Sequence, residues 1–535
     1  MARDTSRDGT WNTLLSYLLT HFGWFWRFAQ RTSLLSRWVN KKLINLAIYK
    51  IPTRPYPYSL MTLDPTIPGT PPHTKNTDTY TSWDSLIDRT YTGRHLPPAP
   101  DFNATLPDAA HVAELFRKRN GATVYSEKST LLFPYFVQWF TDGFLRTAWP
   151  NRLMNTSNHH IDLSPVYGLN PRSTHMLRSY TGGRLKSQTI NGEEYPEFFY
   201  DEKTGKVKSE FDGLYTPPAE EGPLPLEQRL KLFAMGVERA NVQVGYVMMN
   251  TLCLREHNRL AGVLAAANPT WDEERLFQTA RNILIVTIIR VVVEEYINHI
   301  SPYIFQFVAD PLAFKNERWY RQNWMTVEFT LVYRWHSALP STLTYGGQAM
   351  PILATMFNSD LLTAHGLGRM FDETSGQAAG RIGLHNTDDL LVWTAEQKGV
   401  ELGREAKVAS YNDYREMAGF PRATSFAQIT GDVDTQRELK RLYGTVDGVE
   451  FYAGLYAEDT RENSPLPRLV GRLISIDAFS QAFTNPLLAP AIFLEETFSR
   501  VGWDIVNTPV TLSDLVNRNT PPASKPWNVT FNRAS

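Results

Sequence analysis

The chain is 535 residues long, 42% apolar and 20% charged, enough for one large domain or two to three ordinary ones. A net charge of −1 gives no footprint for nucleic acid, and none is expected as a partner. The single cysteine, Cys253, excludes an intrachain disulfide framework and a cysteine-held metal cluster.

The start, MARDTSRDGTWN, carries two aspartates and lacks the long apolar core of a secretory signal. Between Asp8 and Asp64 there is no acidic residue, while Arg27, Arg31, Arg37, Lys41, Lys42, Lys50 and Arg54 interleave with Trp11, Leu14, Leu15, Leu18, Phe22, Trp24, Phe25, Phe28, Leu34 and Trp38. Apolar positions at three- and four-residue spacing with only positive charge between them predict amphipathic helices over residues 1–55 that lie in one leaflet of a membrane interface. The expected location is peripheral (monotopic), on the cytoplasmic side. The other reading is an amphipathic bundle covering the core. Pro52, Pro55 and Pro57 end this region, and residues 56–106 read as a polar linker wrapping the surface.

Residues 107–515 read as one mostly α domain, with helical spacing over 128–147, 225–267, 272–300, 318–338 and 349–364. Thr270 and Glu273 form a capping-box pattern ahead of the third segment. Its apolar run, Ile283 to Val293, is broken by Arg290 and predicts a buried helix, not a membrane span. Residues 516–535 read as an extended tail. The fourth segment contains Tyr333-Arg334-Trp335-His336. On a helix, positions three apart share a face, so a phenol and an imidazole would stand side by side. That pairing suits a haem held by His336 with Tyr333 at its edge, where loss of an electron from the phenol leaves a tyrosyl radical. Packed aromatic core is the alternative for the same residues.

Many stretches together resemble the animal haem peroxidases, and within them the cyclooxygenases (prostaglandin H synthases). THFGWFWRF, TSWDSL, FVQWFTDGF, HIDLSPVYG, LREHNRLAGVL, VVVEEYINHISPY, VYRWHSALP, SYNDYREMAGF and FTNPLL run in the family's order along nearly the whole chain. The absence of the epidermal-growth-factor-like module, required by the lone cysteine, points to a bacterial homologue. The resemblance implies a haem-dependent fatty-acid dioxygenase with a helical haem-peroxidase domain, a haem b cofactor, O2 and an unsaturated or long-chain fatty acid as substrates, and a homodimer. It implies that His336 ligates the iron, that Tyr333 carries the radical, that Gln138 is the distal glutamine and that Trp335 lies against the haem. Tyr303 matches the tyrosine at the channel mouth. Phe140, Phe144, Ile297, Ile300, Phe329, Val332, Ser475, Ala478 and Phe479 fall on channel-lining positions.

Three departures qualify this. Four residues after Gln138 the family has a histidine that passes a proton to and from a hydroperoxide, and here stands Asp142. A carboxylate is a poor base for that task, so peroxidase turnover is expected to be weak, with Asp142 a poor base or a structural residue. His159 and His160 fall in a loop position that is not distal. The family's channel-mouth arginine matches Ala47, whereas its acidic partner matches Arg472. Arg472, Arg461 or Lys50 would then hold the substrate carboxylate, the alternative being plain surface arginines. Ala478 replaces the serine that aspirin acetylates, so no acetylation is expected there. Two other functions fit the same residues: isomerisation of a lipid hydroperoxide, and a non-catalytic lipid- or haem-binding role.

Overall fold

The computed structural model describes residues 17–48, 58–66, 83–215, 224–322 and 324–534; Trp11, Leu14, Leu15, Lys50 and Arg54 lie outside them. Near the N-terminus two helices, α1 (Gly23–Arg31) and α2 (Ser33–Ile48), form a pair. The inner face of α2 buries Val39, Ile44 and Ile48. The outward side leaves Trp24, Phe28, Leu34 and Trp38 more than 60% exposed. Asn40 ties α2 to the body by donating to the Val308 carbonyl at 3.0 Å.

Three helices carry the centre. Helix α3 (Leu132–Thr141) is buried at every residue but Gln138. Helix α4 (Val244–Ala267) begins where the Gln243 side chain accepts the Gly245 N–H at 2.6 Å, satisfying an orphan donor of the first turn. A Cβ on Gly245 would lie 2.0 Å from the Tyr135 ring, so only glycine lets α3 and α4 close to this distance. The LREHNR stretch lies inside α4 and is structural: Glu256 binds Arg259 and Arg518, and His257 bonds the Tyr167 hydroxyl (2.8 Å) and the Gly183 carbonyl (2.9 Å). Burial pushes the His257 pKa down to about 3 and keeps the ring neutral.

Helix α5 (Glu273–Val291) is capped by Asp272, which accepts the Arg275 N–H at 2.8 Å; the expected Thr270 cap is not used, because Asp272 stands one residue before the helix and reaches its third N–H. It widens into a π-helical turn, Val292–Tyr296, before its last turn, Ile297–Ile300. The whole stretch Glu273–Ile300 is long and apolar enough to cross a membrane, but it is mostly buried inside the protein, as expected of a core helix. A second π turn, Val392–Glu396, leads into helix α7 (Gln397–Glu405), and helix α9 (Arg468–Phe483) packs against α2.

The fourth predicted helix is shorter than its pattern. Helix α6 (Val327–Val332) stops one residue before Tyr333, and His336–Ala338 form a separate 3-10 turn. The cause is the hydroxyl of Tyr456, on helix α8 (Phe451–Ala457). It donates to the Leu331 carbonyl (3.0 Å) and accepts the Arg334 N–H (3.1 Å), taking groups that would have continued the ladder. Trp335 Nε1–H takes the Val332 carbonyl at 2.7 Å. Tyr333 and His336 therefore do not share a helical face. Residues 349–364 are likewise not one helix: Gln348–Pro351 pairs with Thr342–Tyr345, and the next α-helix is Asp360–His365. Strand Tyr125–Thr130 occupies the start of the first predicted segment and pairs with Ala378–Gly380. The second segment is interrupted between Leu226–Arg229 and α4. A helix, Leu512–Arg518, crosses the start of the predicted tail, whose end adds along the Tyr125–Thr130 strand: Thr130 donates to Phe531 and Arg533 to Lys128, both at 2.9 Å.

Candidate active site

A cleft of about 1530 Å³, open to solvent on one side, lies between α3 and the segment after α6. Gln138 and Asp142 line it from α3, Arg239 and Gln243 from just before α4, and Tyr333, Arg334, Trp335 and His336 from the opposite wall. Gln138 is the one partly exposed residue of α3 for this reason, and Gln243 Nε2 donates to its Oε1 at 3.0 Å. Every residue of the distal and proximal groups anticipated from sequence thus meets at one cleft.

Asp142 is not a free carboxylate. Its Oδ2 accepts from Arg146 (3.1 Å) and from the Tyr246 hydroxyl (3.0 Å), and its Oδ1 lies 3.6 Å from Arg239. Burial pushes its pKa up and the two guanidiniums pull it back, with a net rise. Arg146 also pairs with Glu238. Arg239, half exposed, brings a positive charge to the open cleft from this wall. His159 lies elsewhere, accepting the Met325 N–H at Nδ1 (2.9 Å) and bonding the Arg89 carbonyl at Nε2 (2.7 Å).

On the other wall, Nδ1 of His336 is buried 3.1 Å from Oε1 of Glu396. The exposed side of the imidazole is then its Nε2 edge. Tyr333 stands edge-on to Phe329 (ring centroids 5.0 Å apart) and tilted against Trp335 (5.1 Å), with its hydroxyl 2.9 Å from that of Tyr296. Burial holds its pKa well above the usual phenol value, so the ground state is the neutral phenol.

A second cavity, of about 1240 Å³, opens beside the N-terminal helices. Ile297, Ile300, Tyr303, Arg461, Arg472, Ser475 and Phe479 all line it, together with Leu43 and Ala47 of α2, and among the described residues no acidic side chain does. Arg472 donates through Nε to the Ala418 carbonyl (3.3 Å), and burial pulls its pKa below the usual guanidinium value. Arg461 lies 5.2 Å over the Tyr303 ring. Phe140, Phe144, Phe329 and Val332 do not line this cavity. The three phenylalanines form a chain of ring contacts, 5.1 Å from Phe140 to Phe144 and 6.4 Å on to Phe329, which reaches Tyr333. Val332 is wholly buried, and Ala478 is buried next to Phe479. The predicted channel residues therefore divide into a mouth group around open space and an inner group packed toward the phenol.

The family profile described as animal haem peroxidase matches residues 140–526. The chain belongs to the animal haem peroxidase family. Among curated proteins, prostaglandin G/H synthase 1 of Mus musculus is 31% identical over 94% of this chain and 80% of its own length, and prostaglandin G/H synthase 2 of Bos taurus is 30% identical with the same coverage. Among solved structures, peroxidase A of Dictyostelium discoideum superposes with a TM-score of 0.67 at 20% identity, covering 83% of this chain and 96% of that one. A variant of the fatty acid alpha-dioxygenase of Oryza sativa, solved with palmitic acid, gives a TM-score of 0.65 at 18% identity, covering 80% of this chain and 81% of that one. This haem peroxidase is an oxidoreductase, and its cofactor is haem. The cleft fits that group on its own chemistry. His336 presents one ring edge to open space and buries the other nitrogen against a carboxylate, which is how metal-ligating histidines are commonly oriented. Arg239 and Arg334 supply positive charge for an anionic macrocycle.

Sequence reading missed Arg239, Gln243, Tyr296 and Glu396. Tyr296 sits in a family-like stretch, but the π turn that aims it has no sequence signature. Glu396 is sixty positions from His336, and no spacing rule connects them.

Proposed function

We propose that this haem peroxidase is a fatty-acid dioxygenase in which Tyr333 takes a hydrogen atom from a long-chain, unsaturated acid drawn from one leaflet of a membrane. The observation that carries this reading is the position of Tyr333: it lines the haem cleft and also ends the aromatic chain from Phe140. Bound haem would supply the one-electron oxidation of the phenol. His336 would hold the iron through Nε2. The Tyr333 oxygen, once a radical, takes a hydrogen from the substrate; O2 adds to the carbon radical; the resulting peroxyl radical takes the hydrogen back from Tyr333, which closes the cycle without further oxidant. Arg472, with Arg461 beside it, would hold the carboxylate in the mouth cavity. The exposed aromatic residues of α1 and α2 next to that mouth support docking on a membrane face.

The binding of Asp142 by Arg146, Tyr246 and Arg239 favours weak hydroperoxide turnover. Oxygen uptake by the haem-loaded protein with linoleic, arachidonic and oleic acids, primed with a trace of hydroperoxide, tests the proposal. Uptake that requires both Tyr333 and His336 supports it. Turnover of a preformed hydroperoxide that survives Tyr333→Phe, with no uptake of O2, would replace it by hydroperoxide isomerisation.

A further inference from the structure

Glu396 is 1% exposed and ends the π turn Val392–Glu396, which carries it toward the wall that holds His336. Its hydrogen bonds come from two hydroxyls: Thr387 donates to Oε1 at 2.9 Å and Tyr452 to Oε2 at 2.5 Å. The same Oε1 lies 3.1 Å from Nδ1 of His336. That nitrogen is buried without an aligned hydrogen bond among the described residues, and Oε1 of Glu396 is within hydrogen-bond distance of it. A buried carboxylate held by neutral donors keeps strong acceptor capacity.

We propose that Glu396 is the positioning residue of His336. By accepting the Nδ1–H it fixes the tautomer that leaves the Nε2 lone pair facing the cleft, and it makes the imidazole a stronger donor to the haem iron, which favours the ferric state. Tyr452 and Thr387 set how much of the carboxylate's acceptor strength is left for the histidine. The inference rests on the reading that His336 ligates the haem.

The test uses the haem-loaded full chain and measures the ferric/ferrous midpoint potential, the iron–imidazole stretching frequency of the ferrous form, and haem affinity. Glu396→Gln is expected to raise the potential, lower the stretching frequency and weaken haem binding about 10- to 100-fold. Tyr452→Phe removes a competing donor and is expected to move potential and frequency the opposite way. A purely structural Glu396 would not give opposite signs. Unchanged potential and frequency in a well-folded Glu396→Gln overturn the proposal. If that variant does not fold, Tyr452→Phe decides alone, and values that stay put or move in the Glu396→Gln sense overturn it. A wild-type protein without an iron–imidazole band removes the His336 reading itself and this inference with it.

Discussion

The hydroxyls of Tyr296 and Tyr333 face one another across 2.9 Å, one from the π turn after α5 and the other from the residue that follows α6. Both phenols are neutral, Tyr296 wholly buried and Tyr333 partly so, and the bond fixes the Tyr333 oxygen where the proposed reaction needs it. Tyr296→Phe removes one hydrogen bond without opening a large cavity. It should cost about 1 kcal/mol of stability and slow oxygen uptake roughly 2- to 10-fold, whereas Tyr333→Phe should abolish uptake while the haem spectrum persists. Stopped-flow or electrode measurements on the pair check this.

Asp142 holds two guanidiniums and a phenol in place. Asp142→Asn should lower stability by about 1–3 kcal/mol in a denaturant melt, since it leaves the buried Arg146 with Glu238 alone as its carboxylate partner. Peroxide turnover per folded molecule should change little. A selective loss of peroxide turnover with unchanged stability would make Asp142 a working base after all.

Arg472 is a half-buried cation in a cavity whose walls, among the described residues, hold no acidic side chain. Arg472→Leu should raise the melting temperature, because desolvation of the guanidinium disfavours the native state. The same change should raise KM for a free fatty acid about 10-fold or more, the worth of a charged hydrogen bond, and leave its methyl ester unaffected. Equal KM values for acid and ester in the wild type would place the head group elsewhere.

Trp24, Phe28 and Trp38 make little contact with the body, each being more than 60% exposed. Replacing all three with serine should abolish co-sedimentation with anionic lipid vesicles and leave the melting temperature within a degree or two. A large fall in melting temperature would mean that these rings cover the core instead.

Glu295, beside Tyr296, has its pKa pushed up to about 7 by burial, against which the Leu512 N–H (2.6 Å) pulls only weakly. The native state therefore holds this proton more tightly than the unfolded chain does. Its contribution to stability is present below pH 4.5 and is lost as pH rises through about 7. Glu295→Gln should match the wild type at pH 5 and exceed it at pH 8 by about 1–3 kcal/mol, read from paired denaturation curves.

Tyr333 with His336, and Gln138 with Asp142, were legible as neighbours because each pair lies within one short stretch, and all four line one cleft. The mouth residues were legible through the resemblance, and all but the inner group meet at one cavity. What could not be read is the long-range wiring. The helical pattern over 318–338 is real, yet the hydroxyl of Tyr456, more than a hundred residues on, ends the helix at Val332. Asp142 looks like an isolated substitution in the sequence, but Arg146, Arg239 and Tyr246 are arranged around it. Such partners come from separate elements, and local periodicity says nothing of them.

Each of the two π turns ends on a residue that meets a cleft residue from behind, Tyr296 at the Tyr333 hydroxyl and Glu396 at Nδ1 of His336. A π turn is an α-helix with one residue too many, kept because the extra residue redirects the side chains beyond it. Deleting a single residue from either turn would restore an ordinary helix, shift all later positions by about 100° round the axis, and swing that side chain out of the site while leaving the core pattern nearly intact. The two turns are thus places where length, more than residue type, separates a working cleft from an inert one.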